Sequence, residues 1–524
     1  MIKYEILLNQ YNIDNATQWA QQLGSLDSNK ANAILRQLIP EHFCSDGASK
    51  LHTKLSEDYP EFLQMIQHTN AFFSSFPKSG IPAQSKSIAQ CVDPSMNAGI
   101  GIAKDTHSQI LVHPKLSETI NFLKPSNVDD QEWSKLTQAL YKYNNGLGAN
   151  WYRSLSKQRY LNDIKKPELQ NQAQNSLKIS PIPVFGGTSG LSSIFDMFGG
   201  AGTPVIFPRT YWGNMNLMAD QKGLLKTPSD YIDINGNIQL DVLDQTLTKL
   251  KQDSFKKVCI YLNFPHNPSS TVLTESQAQA LASLLQSHAK EDFQIINVCD
   301  EPYFPFVRGD QAIQSPLSSY LQPNQNRNML TLATINGTKR DGMYGFRHAD
   351  LVLLLPNGLT VDIIDEIENN LFAGYFRGCF SFSNAINQYL LARSLSSDPL
   401  IPLKSADAIA LDPDYIDKER QLVSYMSDTV NRSILKLDKI PYLTRVKQTQ
   451  DASGGFFISY QLNQQFKDLN ITPMDVHKTA LTHGLGVIAA GEYIRINALI
   501  EESVLPDFCF RLVQTLKDLL EQAN

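Results

Sequence analysis

The two cations Lys339 and Arg347 are the residues whose types and spacing first indicate chemistry. They lie eight positions apart in the stretch INGTKRDGMYGFRHADL, directly after an apolar run. A lysine or an arginine taken alone is most often a solvated surface charge. At the end of a buried strand, however, a partly desolvated amine can act as a nucleophile or base, and a guanidinium offers a forked donor to an anion. The pair therefore becomes informative if other segments supply partners.

Candidate partners lie at the ends of two further apolar runs. Asp300 ends the run FQIINVC, where an ionised carboxylate is costly unless a cation pairs with it. Tyr303 follows in DEPY, and Asn267 lies in FPHNPSS, although an Asn-Pro pair by itself commonly marks a turn. Pyridoxal 5′-phosphate would use such a set, because it requires an amine for its aldehyde, a carboxylate for its ring nitrogen and donors for its phenolate oxygen.

A phosphate site is indicated by the glycine-rich segment FGGTSGLSSIF, which runs into an apolar helix. Free backbone N–H groups at a helix start suit a phosphate, but Gly/Ser clusters usually mark ordinary loops. A forked arginine nearby makes the assignment more specific. The residues that we expect around the phosphate are Gly187, Thr188, Ser189, Asn336 and Arg347.

Two more residues could contact the cofactor ring or a substrate. Trp212, in PRTYWGN, could stack on a ring, but a half-buried structural tryptophan is equally expected. Arg495 lies in the apolar stretch EYIRINAL, and a buried arginine requires an anion. The α-carboxylate of an amino-acid substrate would serve.

The elements that must position these residues are short strands between about residues 180 and 354, separated by helical stretches. The clearest runs are TPVIFPRTYW, FKKVCIYLNFPHNP, FQIINVCDEPY, NMLTLATINGTK and ADLVLLLPNG. This alternation predicts an α/β fold with a mostly parallel central sheet and helices on both faces. Ligands bind at the carboxyl ends of the strands in such sheets, so the polar residues after each strand should converge.

Four regions are predicted along the chain. Residues 1–90 read as a helical N-terminal extension, with helices in NATQWAQQLGSL and SNKANAILRQLI and a linker around FPKSGIPAQSKSIAQ. Residues 91–180 would form lead-in helices and the first segment of a small domain. Residues 181–400 would form the large cofactor-binding domain, and residues 401–524 a smaller C-terminal α+β domain.

Composition argues against several classes of partner. A net charge of −6 and a pI near 6.0 give no reason to expect nucleic acid or an anionic membrane. The six cysteines are scattered without CxxC spacing, so we expect free thiols and no metal site. No apolar run reaches the length of a membrane span. We therefore expect a cytoplasmic protein that acts on small molecules.

The motifs, taken in order from Asn97 onward, resemble those of the fold-type I pyridoxal-phosphate enzymes, specifically the aspartate and aromatic aminotransferase branch of class I. The most specific is TKRDGMYGFR, with a glycine three, a tyrosine five and an arginine eight positions after the lysine. Asn336 stands where the family usually has serine, Pro302 where alanine is common, and NPSS replaces the more usual Asn-Pro-Thr-Gly. The motifs that carry the resemblance are NAGIGIAKD, LYKYNNGLG, GGTSGL, YWGN, HNPSS, DEPY, TKRDGMYGFR and YIRIN.

The resemblance implies further site residues. Ile100 and Gly101 would close over the substrate, and Tyr141 would reach the phosphate bound by a neighbouring subunit. Arg377, in YFRGCFSFSN, would meet the side-chain carboxylate of aspartate or glutamate across the subunit boundary, although a surface arginine is an equally good interpretation. A homodimer with shared active sites follows.

The resemblance also implies an activity. The protein would be a pyridoxal-phosphate-dependent aminotransferase that moves an amino group between aspartate, glutamate or an aromatic amino acid and a 2-oxo acid by a ping-pong mechanism. Lys339, Asp300 and Tyr303 would be catalytic, and Gly101, Trp212, Asn267, Arg377 and Arg495 would contact the substrate. A lyase or β-decarboxylase on the same fold is the alternative. A non-catalytic regulator that senses the cofactor is a weaker one, since the first ninety residues lack a basic recognition helix.

Overall fold

A computed structural model describes residues 46–67, 69–74, 109–110, 112, 114–143, 145–335, 337–447 and 452–523. Ile100, Gly101 and Asn336 lie outside the described residues, as do the two helices predicted before residue 40 and the predicted linker.

The strands form three sheets. The largest has the order β1-β8-β7-β5-β4-β2-β3, and its pairings are parallel except at β8, which runs antiparallel to both β1 and β7. This confirms the predicted mostly parallel central sheet. The strands are β1 Ile182–Val184, β2 Pro204–Phe207, β3 Leu225–Pro228, β4 Lys257–Asn263, β5 Gln294–Glu301, β6 Val307–Arg308, β7 Met329–Ile335, β8 Ala349–Leu354, β9 Leu443–Arg445, β10 Ser453–Gly454, β11 Phe457–Leu462, β12 Ile488–Ala490 and β13 Tyr493–Asn497.

Helices cover both faces of the central sheet, and several of them begin at side-chain caps. Thr274 and Gln277 form a capping box before Glu275–His288, and Asp412 caps the long helix Pro413–Leu437. The helices are Asp46–Asp58, Pro60–Ile66, Pro114–Ile120, Asp130–Tyr141, Asn150–Asp163, Pro167–Ser176, Gly186–Ile194, Asn214–Lys222, Leu240–Gln252, Glu275–His288, Leu317–Tyr320, Gly337–Arg340, Val361–Asp365, Ala373–Cys379, Ala385–Leu395, Pro413–Leu437, Gln464–Asp468, Pro473–Thr482 and Leu505–Ala523, with π-helical turns at Phe195–Gly199 and Glu366–Phe372.

Successive side chains of the central strands point to opposite faces of the sheet and pack in two separate cores. On β4, Tyr261 points to the same core as Val298 of β5 and Leu332 of β7, whereas Leu262 points to the core on the other face. Except for the edge strand β3, the strands of this sheet are buried on both faces, as expected for parallel strands between helices, and β5 is buried along its whole length.

The C-terminal region forms a smaller α+β unit with its own core. Its antiparallel sheet has the order β12-β13-β11-β9. Helices Pro413–Leu437 and Leu505–Ala523 pack on it, and the core includes Val430, Ile458 and Leu516. This confirms the small α+β domain that the sequence predicts.

Part of the predicted N-terminal extension belongs to the core of the central sheet. Tyr59, Phe62 and Met65 are fully buried there, and the Phe62 ring lies edge-on to Phe198 at 5.8 Å between ring centres. The division into four regions stays a prediction.

Among the described residues, no helix is both long and apolar enough to cross a membrane. Within the same part of the chain, no group of three or more His, Cys, Asp or Glu side chains is arranged to hold a metal ion.

Candidate active site

A cavity of about 340 Å³ opens at the carboxyl ends of β2, β4, β5 and β7. This is where the strand-end residues are predicted to converge. The predicted site residues that line it are Gly187, Thr188, Trp212, Asn267, Asp300, Tyr303, Lys339, Arg347 and Arg495. The other lining residues are Leu191, Asn263, Pro302, Thr338, Tyr344 and Phe457.

The carboxylate of Asp300 forms the floor of the cavity. In the sheet register Asp300 stands level with Asn263 on β4 and Thr334 on β7, so three polar side chains share one face. Tyr261 Oη donates to Asp300 Oδ2 at 2.8 Å, and Thr334 Oγ1 donates to Oδ1 at 3.2 Å. Burial raises the pKa of Asp300 to about 6, while the bonds from Tyr261 and Thr334 oppose the rise.

Lys339 lies on the short helix Gly337–Arg340 directly after β7. The helix is tied to the next strand, because Thr338 N and Oγ1 both donate to the carbonyl oxygen of His348, at 3.1 and 2.9 Å. The Lys339 ammonium lies 5.0 Å from the ring centre of Tyr344. Burial lowers the pKa of Lys339, and the nearby charges of Arg495 and Arg347 lower it further.

The helix Gly186–Ile194 brings backbone N–H groups and Arg347 to one end of the cavity. Gly186 has φ +78°, and a Cβ there would lie 2.8 Å from Arg347 Nη2, so glycine permits the approach of the guanidinium. A Cβ at Gly190 would lie 2.7 Å from Thr334 Cγ2, so a second glycine lets the helix pack against β7. A helix start beside a guanidinium suits a phosphate group.

Arg495 enters the cavity from β13 of the smaller domain. Its Nη1 donates to Asn267 Oδ1 at 2.9 Å, and its guanidinium carbon lies 4.1 Å above the ring centre of Phe457. Asn267 N in turn donates to Asn263 Oδ1 at 2.8 Å. This chain of contacts connects the two domains at the mouth of the cavity.

The charges of the cavity do not balance. Lys339, Arg347 and Arg495 line it with Asp300 as the single carboxylate, and within the described residues none of the three cations forms an ion pair. Asp300 likewise has hydrogen-bond donors but no cation partner in that part of the chain. A ligand with a phosphate, a carboxylate and a ring nitrogen that can be protonated would satisfy all of these groups, and pyridoxal 5′-phosphate with an amino acid has this chemistry.

Behind the lysine, a second set of charges is fully paired. Arg340 binds Asp163 through both guanidinium Nη atoms, and its Nη2 also lies 2.7 Å from Glu419 Oε2. Arg159 Nη1 and Nη2 donate to the two carboxylate oxygens of Asp341, at 3.0 and 2.7 Å. Although burial alone would raise the pKa of Glu419, Arg340 and Arg159 lower it to about 2. This network joins helices Asn150–Asp163 and Pro413–Leu437 to the lysine segment.

Of the predicted site residues that the structure describes, three do not line the cavity of a single chain. Ser189 Oγ donates to the carbonyl oxygen of Gly186 at 3.0 Å, within its own helix turn. Tyr141 is half-buried at the end of Asp130–Tyr141. The Arg377 guanidinium carbon lies 4.5 Å from the ring centre of Phe382.

Several residues of the site were missed by the sequence analysis. Tyr261 and Thr334 lie inside apolar strands, and only the register across β4, β5 and β7 places them against Asp300. Asn263 and Phe457 carried a signal that could have been used, since Asn263 ends a strand in the same motif as Asn267, and Phe457 begins β11.

The comparisons with known proteins agree with this geometry. Residues 146–398 match the family model described as aminotransferase class I and II. No curated protein sequence matches this one with statistical significance.

Solved structures share the fold. An aminotransferase from Anaerococcus prevotii matches with 18% identity and a TM-score of 0.55, over 83% of this chain and 94% of that one. An aromatic aminotransferase from Pyrococcus horikoshii matches with 17% identity and a TM-score of 0.53, over 76% of this chain and 94% of that one. The tetra mutant of aspartate aminotransferase from Thermus thermophilus matches with 17% identity and a TM-score of 0.52, over 75% and 93%. The family match and the common fold confirm the resemblance that the motifs indicate.

Proposed function

We propose that this chain is an aminotransferase, because residues 146–398 match the aminotransferase class I and II family, whose members depend on pyridoxal phosphate. It moves an amino group between aspartate, glutamate or an aromatic amino acid and a 2-oxo acid by a ping-pong mechanism. The observation that carries the proposal is that one cavity holds a desolvated amine, Lys339, and the buried carboxylate of Asp300, while none of its cations forms an ion pair among the described residues.

The residues that would hold the cofactor lie around one cavity. Asp300 would face the ring nitrogen, and Tyr303 and Asn267 would donate to the phenolate oxygen. Arg347, with Gly187 and Thr188 at the start of the helix, would hold the phosphate. When bound, the cofactor supplies an aldehyde that reacts with amines and a ring that withdraws electrons from the adjoining carbon.

The side chain of Lys339 would move the proton. Its lowered pKa leaves more of the amine neutral near pH 7, so that Nζ can take the α-proton of an amino acid and later return it. Asp300, ionised at that pH, would keep the ring nitrogen protonated. Trp212 would cover the ring face, and the cavity walls would exclude water.

Arginines would orient the substrate. Arg495 would bind the α-carboxylate, and its contact with Asn267 would align substrate and cofactor. We further propose a cytoplasmic homodimer in which Arg377 and Tyr141 complete the neighbour's site and Gly101 closes over the substrate. Ser189 and Asn336 would add to the phosphate site.

An absorbance experiment tests the proposal. The purified protein, saturated with pyridoxal phosphate, is mixed in separate samples with aspartate, glutamate and phenylalanine. We expect the visible cofactor band to move to shorter wavelength with the true donor, and to return when a 2-oxo acid is added. Carbon dioxide release from aspartate without an oxo-acid acceptor would instead support the β-decarboxylase alternative. No change with any amino acid would contradict the proposed reaction.

A further inference from the structure

A second, smaller pocket of about 30 Å³ lies on the far side of the loop that carries Asn267. It is bounded by the hydroxyl-rich segment 269–271 and by two arginines, Arg308 on β6 and Arg445 on β9. Strands β6 and β10 pair beside it, with Arg308 opposite Ser453. The pocket therefore lies where the central-sheet domain meets the smaller domain.

Arg308 is half-buried, and part of its guanidinium lacks hydrogen-bond partners among the described residues. Its Nη1 donates to the carbonyl oxygen of Gly455 at 2.8 Å, but its Nε and Nη2 atoms are buried and have no hydrogen-bond partner in the described part of the chain. Burial lowers the pKa of Arg308 to about 10, and the neighbouring charge of Arg445 adds to the effect. A guanidinium in this setting is unfavourable unless an anion accompanies it.

The surroundings supply little negative charge. Arg445 Nε lies 3.0 Å from Asp438 Oδ2, an ion-pair distance at which the N–H is not directed at the oxygen. The described residues that line the pocket include Arg308, Arg445 and Lys447 but no carboxylate. Ser270 and Ser453 add hydroxyl groups, and Ile434, Val446 and Ile458 form apolar parts of the wall.

We propose that this pocket binds one small monovalent anion, of the size of chloride, between Arg308 and Arg445. The unpartnered Nε and Nη2 of Arg308 donate to the anion, and Arg445 shares its charge. The volume admits an ion of this size, since a single water needs only about 10–15 Å³ of such space.

The pocket is connected to the active-site cavity through the backbone. Ser270 Oγ donates to the carbonyl oxygen of Phe457, and Ser459 Oγ donates to that of Pro268 at 2.7 Å. Asn267 and Phe457 both line the cavity. An anion that fixes Arg308 and segment 269–271 also steadies these residues, so occupancy should affect substrate binding. The anion site itself does not depend on which reaction the cavity catalyses.

Thermal unfolding of the cofactor-loaded protein tests the proposal. Chloride replaces gluconate at constant ionic strength. A hundredfold excess over the dissociation constant should raise the melting temperature by roughly 2 °C for a chain of this size. The Arg308→Met variant should lose this rise, yet melt no lower than wild type in gluconate, because an unpaired buried charge has been removed. An equal rise in wild type and Arg308→Met would overturn the proposal.

Two control variants test whether the chloride response arises in this pocket and not at other arginines. Arg432→Met changes a half-exposed arginine on the neighbouring helix and should keep the full chloride response. Arg495→Lys changes the substrate arginine and should also keep it, whereas loss of the response there would place the anion in the active-site cavity and contradict the proposal.

Two further measurements identify the occupant. A crystal of the wild-type protein grown in bromide should show an anomalous peak between Arg308 and Arg445, and its absence would contradict a free anion. Asp451 is the nearest carboxylate along the chain after Lys447 and lies outside the described residues. If chloride raises the melting temperature of Asp451→Asn but not of wild type, the chain's own carboxylate fills the pocket and the proposal of a free ion fails.

Discussion

Lys339 and Arg340 are neighbours in the chain, but only the charge of Arg340 is paired with carboxylates of the described residues. Arg340 is buried and bound by two carboxylates, Asp163 and Glu419, whereas Lys339 faces a cavity in which it shares space with Arg347 and Arg495. The paired charges of Arg340 hold the lysine segment in place, and the unpaired cations of the cavity can bind the anionic groups of ligands. The contrast shows that a positively charged side chain can stabilise the fold or bind a ligand, depending on whether carboxylates of the protein lie beside it.

The sharpest test of this contrast is Lys339→Ala. Removing the amine should reduce transamination by at least roughly 10⁴-fold, because Lys339 is proposed both as nucleophile and as proton carrier. Cofactor should still bind noncovalently. Turnover is measured by coupled oxo-acid detection. Lys157→Ala, which changes another partly buried lysine away from the cavity, should retain activity. Substantial turnover by Lys339→Ala would remove the basis of the proposed function.

The corresponding change in the ion-paired network is Arg340→Met. It leaves the carboxylates of Asp163 and Glu419 without their buried cation, so unfolding should be easier by about 3–5 kcal/mol. Chemical denaturation measures the loss. The control is Arg420→Met, whose arginine is largely exposed on the same helix as Glu419 and should have little effect. If both variants are equally stable, the network does not hold the lysine segment.

Arg495→Gln removes one of the unpaired cations of the cavity and should have a smaller effect on activity than Lys339→Ala. Losing a charged donor to the substrate carboxylate should raise KM by about 10–100-fold. The value of kcat should change less if the contact forms equally in ground and transition states. Steady-state kinetics with varied amino acid separate the two. A rise in KM for the 2-oxo acid as well is expected, since both substrates carry the carboxylate. An unchanged KM would assign Arg495 to a structural role.

The pH dependence of cofactor affinity gives the smallest effect. In the cofactor-free protein, Asp300 has a pKa of about 6, above its ordinary value, so the folded state binds the extra proton and loses stability as pH rises through this range. A protonated ring nitrogen favours the ionised carboxylate. Affinity should therefore rise by up to about tenfold per pH unit below the pKa and level off above it. Equilibrium titration by fluorescence measures this, and Asp300→Asn should remove the dependence. A flat profile in wild type would contradict the pairing.

Much of the fold could be predicted because the central strands are continuous apolar runs that end at polar motifs. The runs that became β5 and β7 were recognised in this way, and Asp300 and Lys339 followed from their positions at the ends. Strand ends are local signals, and the convergence of strand ends in a parallel sheet is a general rule.

The rest depends on contacts that no local pattern reports. Tyr261 and Thr334 reach Asp300 through sheet register, and Asp163 is 177 residues from Arg340 in the chain. Arg308 carries no signal of its surroundings in the sequence, because its position depends on contacts such as that with Gly455, 147 residues further on. The helices Asp46–Asp58 and Pro60–Ile66 fall within the predicted N-terminal extension, and their apolar faces do not indicate that the core of the central sheet covers them.

The packing of residues 46–74 into the main core has a consequence for the order in which the chain folds during synthesis. Tyr59 Oη donates to the carbonyl oxygen of Arg327, 268 residues further on, and Lys257 Nζ donates to that of Met65. The ribosome releases the early helices long before these partners exist. Their apolar side chains lack much of their covering surface until the central strands have been synthesised, so folding of this domain depends on contacts of high sequence separation, which slow folding.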